Sequence, residues 1–157
     1  MTKELPLIER ITEVTTETAI GIGKLMPDLS VKLHNKPVDL DLLRNIVESP
    51  DKDLFIARVN GKIVGSAVMN LIIFSSGKKA WLEDFVVSSD DQIRGSGIGY
   101  ALWQEIVSWS REREAPLEFT SSPLRELAHK FYRRQGAIIK PTAVFHLDCQ
   151  AHSNSSS

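Results

Sequence analysis

The chain has 157 residues, 42% of them hydrophobic and 25% charged, which suits one soluble globular domain with a single sizeable core. Its 19 lysine and arginine residues stand against 20 acidic ones, so its near-neutral charge gives no reason to expect a nucleic acid or an anionic membrane surface as partner. The one cysteine, Cys149, excludes an internal disulfide and suits a reducing cytosol, so we expect a cytoplasmic protein.

The first 50 residues predict a strand followed by two helices. Residues 7–14 are typical of a strand, because apolar and β-branched side chains recur there. Thr15 or Thr16 is expected to cap the first helix, and Asp39 the second, which ends before Pro50. The segment lacks the long apolar core of a signal peptide, and no apolar run in the chain approaches the roughly 20 residues of a membrane span.

The next segment changes to the period of strands. Residues 53–74 predict two strands joined at Asn60-Gly61, a dipeptide that favours a tight hairpin because both residues tolerate positive φ. A second turn at residues 75–79 leads to a third apolar strand, AWLEDFVV. The segment therefore predicts an antiparallel meander.

The remainder of the chain predicts two helices and three short strands. The first helix should run from Ile98 to about residue 114, and a short buried strand should cover residues 117–122. Ser122 should cap the second helix, which Gly136 should end. Two apolar runs, AIIK and AVFHLD, predict the final strands.

The predicted order is β-α-α-β-β-β-α-β-α-β-β. A strand, a helix and a strand across residues 87–118 imply one parallel pair with a right-handed connection, whereas the other pairs should be antiparallel. We therefore expect an α/β protein with a mixed, mostly antiparallel sheet and helices on its faces. It should form one domain over residues 1–148, followed by a polar tail at residues 149–157.

The most informative stretch is QIRGSGIGYALW, residues 92–103, where Gly95, Gly97 and Gly99 stand at the start of a helical pattern. A helix begins with about four unpaired N–H groups and roughly half a positive charge. Glycines there remove Cβ atoms, so an anion can approach the amides, and Arg94 adds a guanidinium suited to phosphate. A strand, a glycine loop and a helix in this order predict a phosphate site, although such glycines can also make a tight turn.

Two familiar phosphate-binding loops do not match this stretch. A nucleoside triphosphate loop ends in Gly-Lys-Ser or Gly-Lys-Thr, whereas this chain has Gly99-Tyr100-Ala101. A dinucleotide fingerprint has a third glycine where Leu102 stands, and it opens a parallel sheet rather than following a meander. A nicotinamide-dependent enzyme would also place an acid at a strand end about 20 residues further on, where this chain predicts helix.

The segment QIRGSG matches the pattern Q/R-x-x-G-x-G/A and so resembles the pyrophosphate-binding motif of the GNAT acyltransferase superfamily. The chain fits the motif in two registers, Gln92–Gly95–Gly97 and Arg94–Gly97–Gly99. WLEDFVV is similar to the family's fourth strand, and SSPLRELAHKFYRRQGA to its late strand, loop and helix. The resemblance covers residues 54–147 well and the first 50 residues loosely. It departs from the family in a longer loop before Arg94 and in Ala137, where an aromatic residue is usual.

The resemblance implies the GNAT fold, with a central sheet splayed between strands 4 and 5, and acetyl-coenzyme A (acetyl-CoA) as co-substrate without a metal. The pantetheine arm would insert at the splay and pair with backbone groups of Phe85, Val86 and Val87, as an added strand would. Ser121, at the end of the late strand, is expected to contact pantetheine. The residues expected around the pyrophosphate are Gln92, Ile93, Arg94, Gly95, Ser96, Gly97, Ile98 and Gly99.

Acetyl transfer to an amine needs a base and an acid. A primary amine with a pKa of about 10 is almost wholly protonated at neutral pH, and the coenzyme A thiolate must be stabilised as it leaves. The resemblance places the expected acid at Tyr132 and the expected base at Glu83, acting directly or through water. Asp84 is the alternative base, and strand alternation predicts that it and Glu83 point to opposite faces. Tyr132 could instead be a core residue, and Glu83 could lie on a solvated face.

Two functions follow from the resemblance. The first is an acetyl-CoA-dependent N-acetyltransferase that acts on a primary amine of a small molecule or a protein, in a direct ternary complex. The second is a sensor that binds an acyl-coenzyme A with the same fold and no turnover. The resemblance leaves a homodimer open, because family members often dimerise, and it implies neither a nucleic acid nor a membrane as partner.

Overall fold

A computed structural model describes residues 4–90, 93 and 95–150. The chain forms two compact units, Met1–Thr120 and Ser121–Ser157. Within the described ranges, the first unit contains five strands and three helices, and the second contains one helix. None of these four helices is long and apolar enough to cross a lipid bilayer.

The first unit is built on one mixed sheet. Its strands are β1 (Leu7–Arg10), β2 (Lys52–Val59), β3 (Lys62–Phe74), β4 (Gly77–Val87) and β5 (Leu117–Glu118). They lie in the order β1-β2-β3-β4-β5, and every neighbouring pair is antiparallel except β4 and β5, which are parallel. Helices α1 (Thr16–Leu29) and α2 (Leu40–Val47) connect β1 to β2, and α3 (Ile98–Glu112) connects β4 to β5. The predicted fold class is confirmed.

The first two helices begin where side chains satisfy their first amides. At the start of α1, Thr15 Oγ1 accepts a hydrogen bond from Thr18 N at 3.2 Å. At the start of α2, Asp39 Oδ1 accepts from the amides of Asp41 and Leu42 at 2.8 and 3.2 Å. Both predicted caps are confirmed, because an N-cap depends only on residues two or three positions away.

The predicted hairpin between β2 and β3 is also confirmed. Asn60 and Gly61 have φ of 50° and 75°, as a tight two-residue turn requires. The second turn is tighter than predicted, since Phe74 already pairs with Gly77 across it. The strand β4 therefore begins earlier than the sequence indicates.

Alternating side chains give the sheet two packed faces. Leu54 and Ile56 of β2 belong to the core that α1 and α2 cover. Ala57 instead packs with Ile98, at the start of α3. Because neighbouring residues of a strand point to opposite faces, α1 and α2 cover one face and α3 covers the other.

The strand β5 is much shorter than the predicted strand over residues 117–122. It pairs with β4 only as Ala80↔Leu117 and Trp81↔Glu118. This early end of the ladder agrees with the splay between strands 4 and 5 that the resemblance implies.

The second unit contains α4 (Glu126–Arg134), which begins later than predicted. Ser122 does not cap this helix, because its Oγ accepts from Leu124 N at 3.2 Å and its carbonyl from Arg125 N at 3.0 Å. These bonds close a separate turn, since a serine hydroxyl also reaches the amide two residues further on. The predicted helix end is confirmed by Gly136, which has φ of 89°.

The prediction of two final strands at AIIK and AVFHLD is wrong. None of residues 137–148, all of which the structure describes, belongs to a strand. An apolar run becomes a strand only when a neighbour supplies its hydrogen bonds, and Pro141 separates these two runs. The large apolar side chains of this segment are exposed, namely Ile138, Ile139, Val144, Phe145 and Leu147.

Candidate functional site

A β-bulge interrupts β4 beside Glu83. The register with β3 shifts between Ser66 and Val68, so two residues of β4, Asp84 and Phe85, lie opposite a single residue of β3. Asp84 accordingly has a left-handed backbone conformation, with φ of 51°. A bulge of this kind redirects the side chains around it.

The bulge breaks the alternation on which the prediction for the two acids was based. Glu83 and Asp84 are both exposed, whereas the next two residues, Phe85 and Val86, are both buried. Val87, the last residue of β4, is half-buried. Two adjacent carboxyl groups are therefore accessible at one point of the strand.

Asp84 has a perturbed pKa. The protein atoms around its carboxyl group desolvate it and raise its pKa above the ordinary value, and the negative charge of Glu83 raises it further. Asp84 is nevertheless exposed as a residue, so this desolvation is partial. A carboxylate with a raised pKa accepts a proton more readily, which is what a general base requires.

Glu83 is held by a neighbour on its own strand. The indole Nε1 of Trp81 donates a hydrogen bond to Glu83 Oε1 at 2.6 Å. The ammonium of Lys79 lies 5.1 Å from the centroid of the Trp81 ring and forms an ion pair of 3.2 Å with Glu118 Oε2 on β5. Alternate residues of a strand share a face, so these side chains form a row that orients the candidate base.

Short-range backbone hydrogen bonds shape the loop between β4 and α3. Ile93 N donates to Asp90 O at 2.9 Å, and Ser96 N donates to Ile93 O at 3.2 Å. Both bonds join described residues of the predicted pyrophosphate-binding loop. Two predicted members of this loop, Gln92 and Arg94, lie outside the described residues.

The start of α3 presents backbone rather than side chains. Gly95 and Gly97 both have φ of 73°, a left-handed conformation that other residues rarely adopt. Apart from its chain neighbours, a Cβ on either would meet no heavy atom of the described residues within 4 Å. The conformation, not crowding, therefore requires glycine. Gly97 is the N-cap of α3 and makes no side-chain capping bond, so this residue does not compete with an anion for the first amides of the helix.

Ile98 fixes this helix start against the sheet. Its side chain is 2% exposed and packs with Ala57 and Val64 of β2 and β3. Gly99, the next predicted site residue, is half-buried in the first turn of α3. The glycine loop is thus anchored at its far end by the core.

Asp28, which is not among the predicted site residues, holds the near end of the same loop. Its Oδ1 accepts a hydrogen bond from Ser89 Oγ at 2.6 Å, and its Oδ2 accepts from Ser89 N at 3.1 Å. The preceding residue, Ser88, donates its amide to Val64 O at 2.8 Å. The first two loop residues are therefore fixed by α1 and by β3.

Tyr132, in the second unit, is a buried residue of α4. It is 7% exposed, and the Phe131 ring meets its ring edge-on at 5.9 Å between centroids. Burial raises the pKa of the Tyr132 hydroxyl, while the charge of Arg125 and a hydrogen bond from its guanidinium act in the opposite direction. The hydroxyl is consequently protonated at neutral pH and has a proton to donate.

Ser121, the other predicted site residue of the second unit, has a side-chain partner. Its Oγ lies 3.2 Å from Nε2 of His129 on α4. Ser121 is half-buried. The second unit therefore brings Ser121 together with His129, and Tyr132 together with Arg125.

The structure adds three residues to those that the sequence indicates. Trp81 could have been found, because it precedes Glu83 by two positions on a strand and so shares its face. Arg125 precedes Tyr132 by seven positions, which is about two turns of the helix that the sequence predicts from Ser122 onward. Asp28 leaves no such pattern, since its partner is 61 residues away in sequence.

The chain matches the family model of the acetyltransferase (GNAT) family over residues 24–137. The match begins inside α1 and ends just beyond α4, so it includes the bulge in β4, the glycine loop and Tyr132. No curated protein matches the chain.

Solved structures share the fold at low sequence identity. An aminoglycoside acetyltransferase, meta-AAC0020, from an uncultured soil metagenomic sample in complex with trehalose is 19% identical, with 92% of this chain and 95% of that chain covered and a TM-score of 0.76. A transcriptional regulator from Bacillus halodurans is 21% identical, with 91% of this chain and 99% of that chain covered and a TM-score of 0.74. A predicted acetyltransferase with acetyl-CoA from Clostridium acetobutylicum is 17% identical, with 95% and 99% covered and a TM-score of 0.71.

The family match covers well over half of the chain, and the solved structures share its mixed sheet and helices over nearly its whole length. The bulged fourth strand and the glycine loop at the start of α3 lie inside the matched segment. The chain belongs to the GNAT acetyltransferase family.

Proposed function

We propose that the protein is an N-acetyltransferase that transfers an acetyl group from acetyl-CoA to a primary amine in a direct ternary complex. One observation carries the proposal. The left-handed Gly95 and Gly97 lead into α3 without a side-chain cap, in the loop that follows a bulged strand, in a chain of the GNAT family. Such a helix start suits the pyrophosphate of coenzyme A.

Acetyl-CoA is the donor in this proposal. Its pyrophosphate binds at the start of α3, and its pantetheine arm runs along Phe85, Val86 and Val87 of β4, with Ser121 as a further contact. The early end of the ladder between β4 and β5 supports this course, because an inserted arm needs the two strands to part. The structure described with acetyl-CoA supports the choice of donor by analogy.

The acceptor amine must lose a proton before it can attack. At neutral pH a primary amine with a pKa of about 10 is almost entirely an ammonium ion. Glu83 accepts this proton, directly or through water, and Asp84 is the alternative base. The exposure of both carboxyl groups at the bulge supports this assignment, since the base must reach the acceptor.

The nitrogen lone pair then attacks the thioester carbonyl carbon, the C–N bond forms, and the C–S bond breaks. The leaving thiolate takes a proton from the Tyr132 hydroxyl. The raised pKa of this hydroxyl supports the role, because it keeps the group protonated until the thiolate forms. The nitrogen loses two protons in all. Glu83 takes the first and passes it to solvent, and the second, lost from the nitrogen as the amide forms, replaces the proton that Tyr132 gave to the sulfur.

The acceptor is a primary amine of a small molecule or a protein. Adjacent carboxyl groups at Glu83 and Asp84 favour an acceptor that arrives as a cation. One similar structure is described as an aminoglycoside acetyltransferase, which makes aminoglycosides one class to test. Polyamines and lysine-containing peptides are the other cationic classes.

The test is a thiol-release assay with acetyl-CoA and a panel of these three classes of amine. We expect coenzyme A to be released above the hydrolysis background with at least one class, and mass spectrometry should find the acetylated amine. Coenzyme A binding without thiol release on any amine would favour the alternative, an acyl-coenzyme A sensor. That alternative has its own support, since one similar structure is described as a transcriptional regulator.

A further inference from the structure

We propose that Asp28 is a positioning residue of the donor site, which holds the loop between β4 and α3 in the form that receives the pyrophosphate. The proposal rests on the function proposed above. Asp28 lies on α1, and its contact with Ser89 joins two segments 61 residues apart. The glycine motif and its flanks give no indication of this contact.

The geometry of the contact fixes the loop residue in two ways. The two carboxylate oxygens accept separate bonds from Ser89, one from the hydroxyl at 2.6 Å and one from the amide at 3.1 Å. The first bond fixes the side chain and the second fixes the peptide plane. Hydrogen bonds to a carboxylate are stronger than neutral ones, so the pair restrains Ser89 firmly.

The contact is attached to a rigid part of the fold. Leu25, three residues before Asp28 on α1, is 3% exposed and belongs to the core between α1 and the sheet. Asp28 and Ser89 themselves are both exposed. Exposed polar contacts contribute little to global stability, so the main effect of this one should be local.

The restraint reaches the glycine loop through a chain of bonds. Ser88 is held on β3 by its amide, and its Oγ accepts from Asp90 N at 3.2 Å. The carbonyl of Asp90 accepts from Ile93 N, two residues before Gly95. A residue that is already held in place loses less entropy when a ligand binds beside it, so release of Ser89 should weaken coenzyme A binding.

The experiment compares Asp28→Ala, Ser89→Ala and the double variant by calorimetric titration with coenzyme A and by urea unfolding. Ser89→Ala keeps the amide bond and loses the hydroxyl bond. Asp41→Ala is the matched control, because it removes another exposed helical carboxylate, paired with Arg44 at 2.8 Å, away from the loop. The Michaelis constants for acetyl-CoA and for the acceptor are measured for each variant with the amine found by the panel.

We expect Asp28→Ala, which loses both bonds, to weaken coenzyme A binding roughly five- to tenfold, a loss of about 1–1.4 kcal/mol. Ser89→Ala, which loses one bond, should weaken it roughly threefold, a loss of about 0.6 kcal/mol. The double variant should bind coenzyme A no more weakly than Asp28→Ala does, because both substitutions disrupt the same contact. The KM for acetyl-CoA should rise while the KM for the acceptor and kcat stay unchanged.

Asp28→Ala that binds coenzyme A within twofold of the wild type would overturn the positioning role and leave the proposed function intact. So would equal effects of Asp41→Ala, which would indicate a general change of surface charge. A wild-type protein that does not bind coenzyme A would contradict the proposed function itself, and this inference with it. Ser89→Ala decides the matter if Asp28→Ala does not fold.

Discussion

Trp103 of α3 meets Phe119, the first residue beyond β5, edge-on with 5.8 Å between the ring centroids. The same indole meets Phe85 of β4 edge-on at 6.0 Å. A buried helix residue thus contacts one aromatic ring of β4 and one just beyond β5, where the ladder between the two strands has ended. We therefore expect the Trp103 ring to help keep the two strands apart beyond the end of their ladder.

Replacing Trp103 by alanine should therefore affect both stability and donor binding. Loss of a buried aromatic side chain costs about 3–5 kcal/mol of unfolding free energy, and urea unfolding measures this. Calorimetric titration of the folded variant should show weaker coenzyme A binding. Trp103→Phe keeps one aromatic ring. It should lose less than half as much unfolding free energy, and less than half as much free energy of coenzyme A binding, as Trp103→Ala does. Equal coenzyme A affinity in the alanine variant and the wild type would contradict a role in the splay.

Gly23 should be far less tolerant of a methyl group than Gly21, although both lie in α1. A Cβ on Gly23 would come 2.0 Å from the backbone carbonyl oxygen of Lys36, whereas one on Gly21 would meet the flexible end of Ile63 at 2.5 Å. We expect Gly23→Ala to lose about 1–3 kcal/mol of unfolding free energy, and Gly21→Ala to lose clearly less. The measurement is urea unfolding of the two variants side by side. Equal losses of unfolding free energy would show that the backbone near Lys36 moves to accommodate the methyl group.

Asp84 should destabilise the fold more as the pH rises. Folding raises the pKa of this carboxyl, so the folded state holds the proton more tightly than the unfolded chain does. The cost of ionising it is absent below the ordinary carboxyl pKa of about 3.9 and is complete above the raised folded value. The stability of Asp84→Asn relative to the wild type should therefore increase from about pH 4 upward. Urea unfolding across this range tests the sign, and a difference independent of pH would contradict it.

Tyr132→Phe should remove the acid and leave the donor site intact. Loss of a general acid typically reduces kcat by about 10²- to 10⁴-fold, and we expect a decrease in that range with little change in coenzyme A affinity. Tyr100→Phe is the matched control, because Tyr100 is the other tyrosine of the chain and is 55% exposed. Steady-state thiol release measures both variants, and an unchanged rate in Tyr132→Phe would exclude the hydroxyl from the reaction.

The sequence predicts those features that depend on neighbours a few residues away. Thr15 and Asp39 cap helices, Asn60-Gly61 makes a hairpin, and Gly97 starts α3, because each depends on local backbone preference and short-range hydrogen bonds. The mixed sheet then follows from the order of the elements. Glu83 and Tyr132 were indicated by the family resemblance rather than by geometry.

The features that the sequence does not predict depend on partners far along the chain. The bulge at Asp84 needs the register with β3, and the short β5 needs the ladder with β4. The late apolar runs have strand-like composition but gain no neighbouring strand, so residues 137–148 form none. The contact of Asp28 with Ser89 likewise exists only after α1 has packed on the sheet.

The central claim is that the amides at the start of α3 bind the pyrophosphate of coenzyme A, and Gly97→Asp tests it most directly. The aspartate places a negative charge at the anion site and forces a side chain into φ of 73°. Gly61→Asp is the control, because Gly61 has a similar φ of 75° in the turn between β2 and β3. Apart from its chain neighbours, a Cβ there also meets no atom of the described residues within 4 Å.

Calorimetric titration of coenzyme A into wild type and both variants, with folding checked by circular dichroism, is the measurement. We predict that wild type and Gly61→Asp bind with similar affinity, and that Gly97→Asp binds at least about tenfold more weakly, a loss of about 1.4 kcal/mol. Equal affinity of the folded Gly97→Asp variant and the wild type, or no binding by the wild type, would contradict the claim.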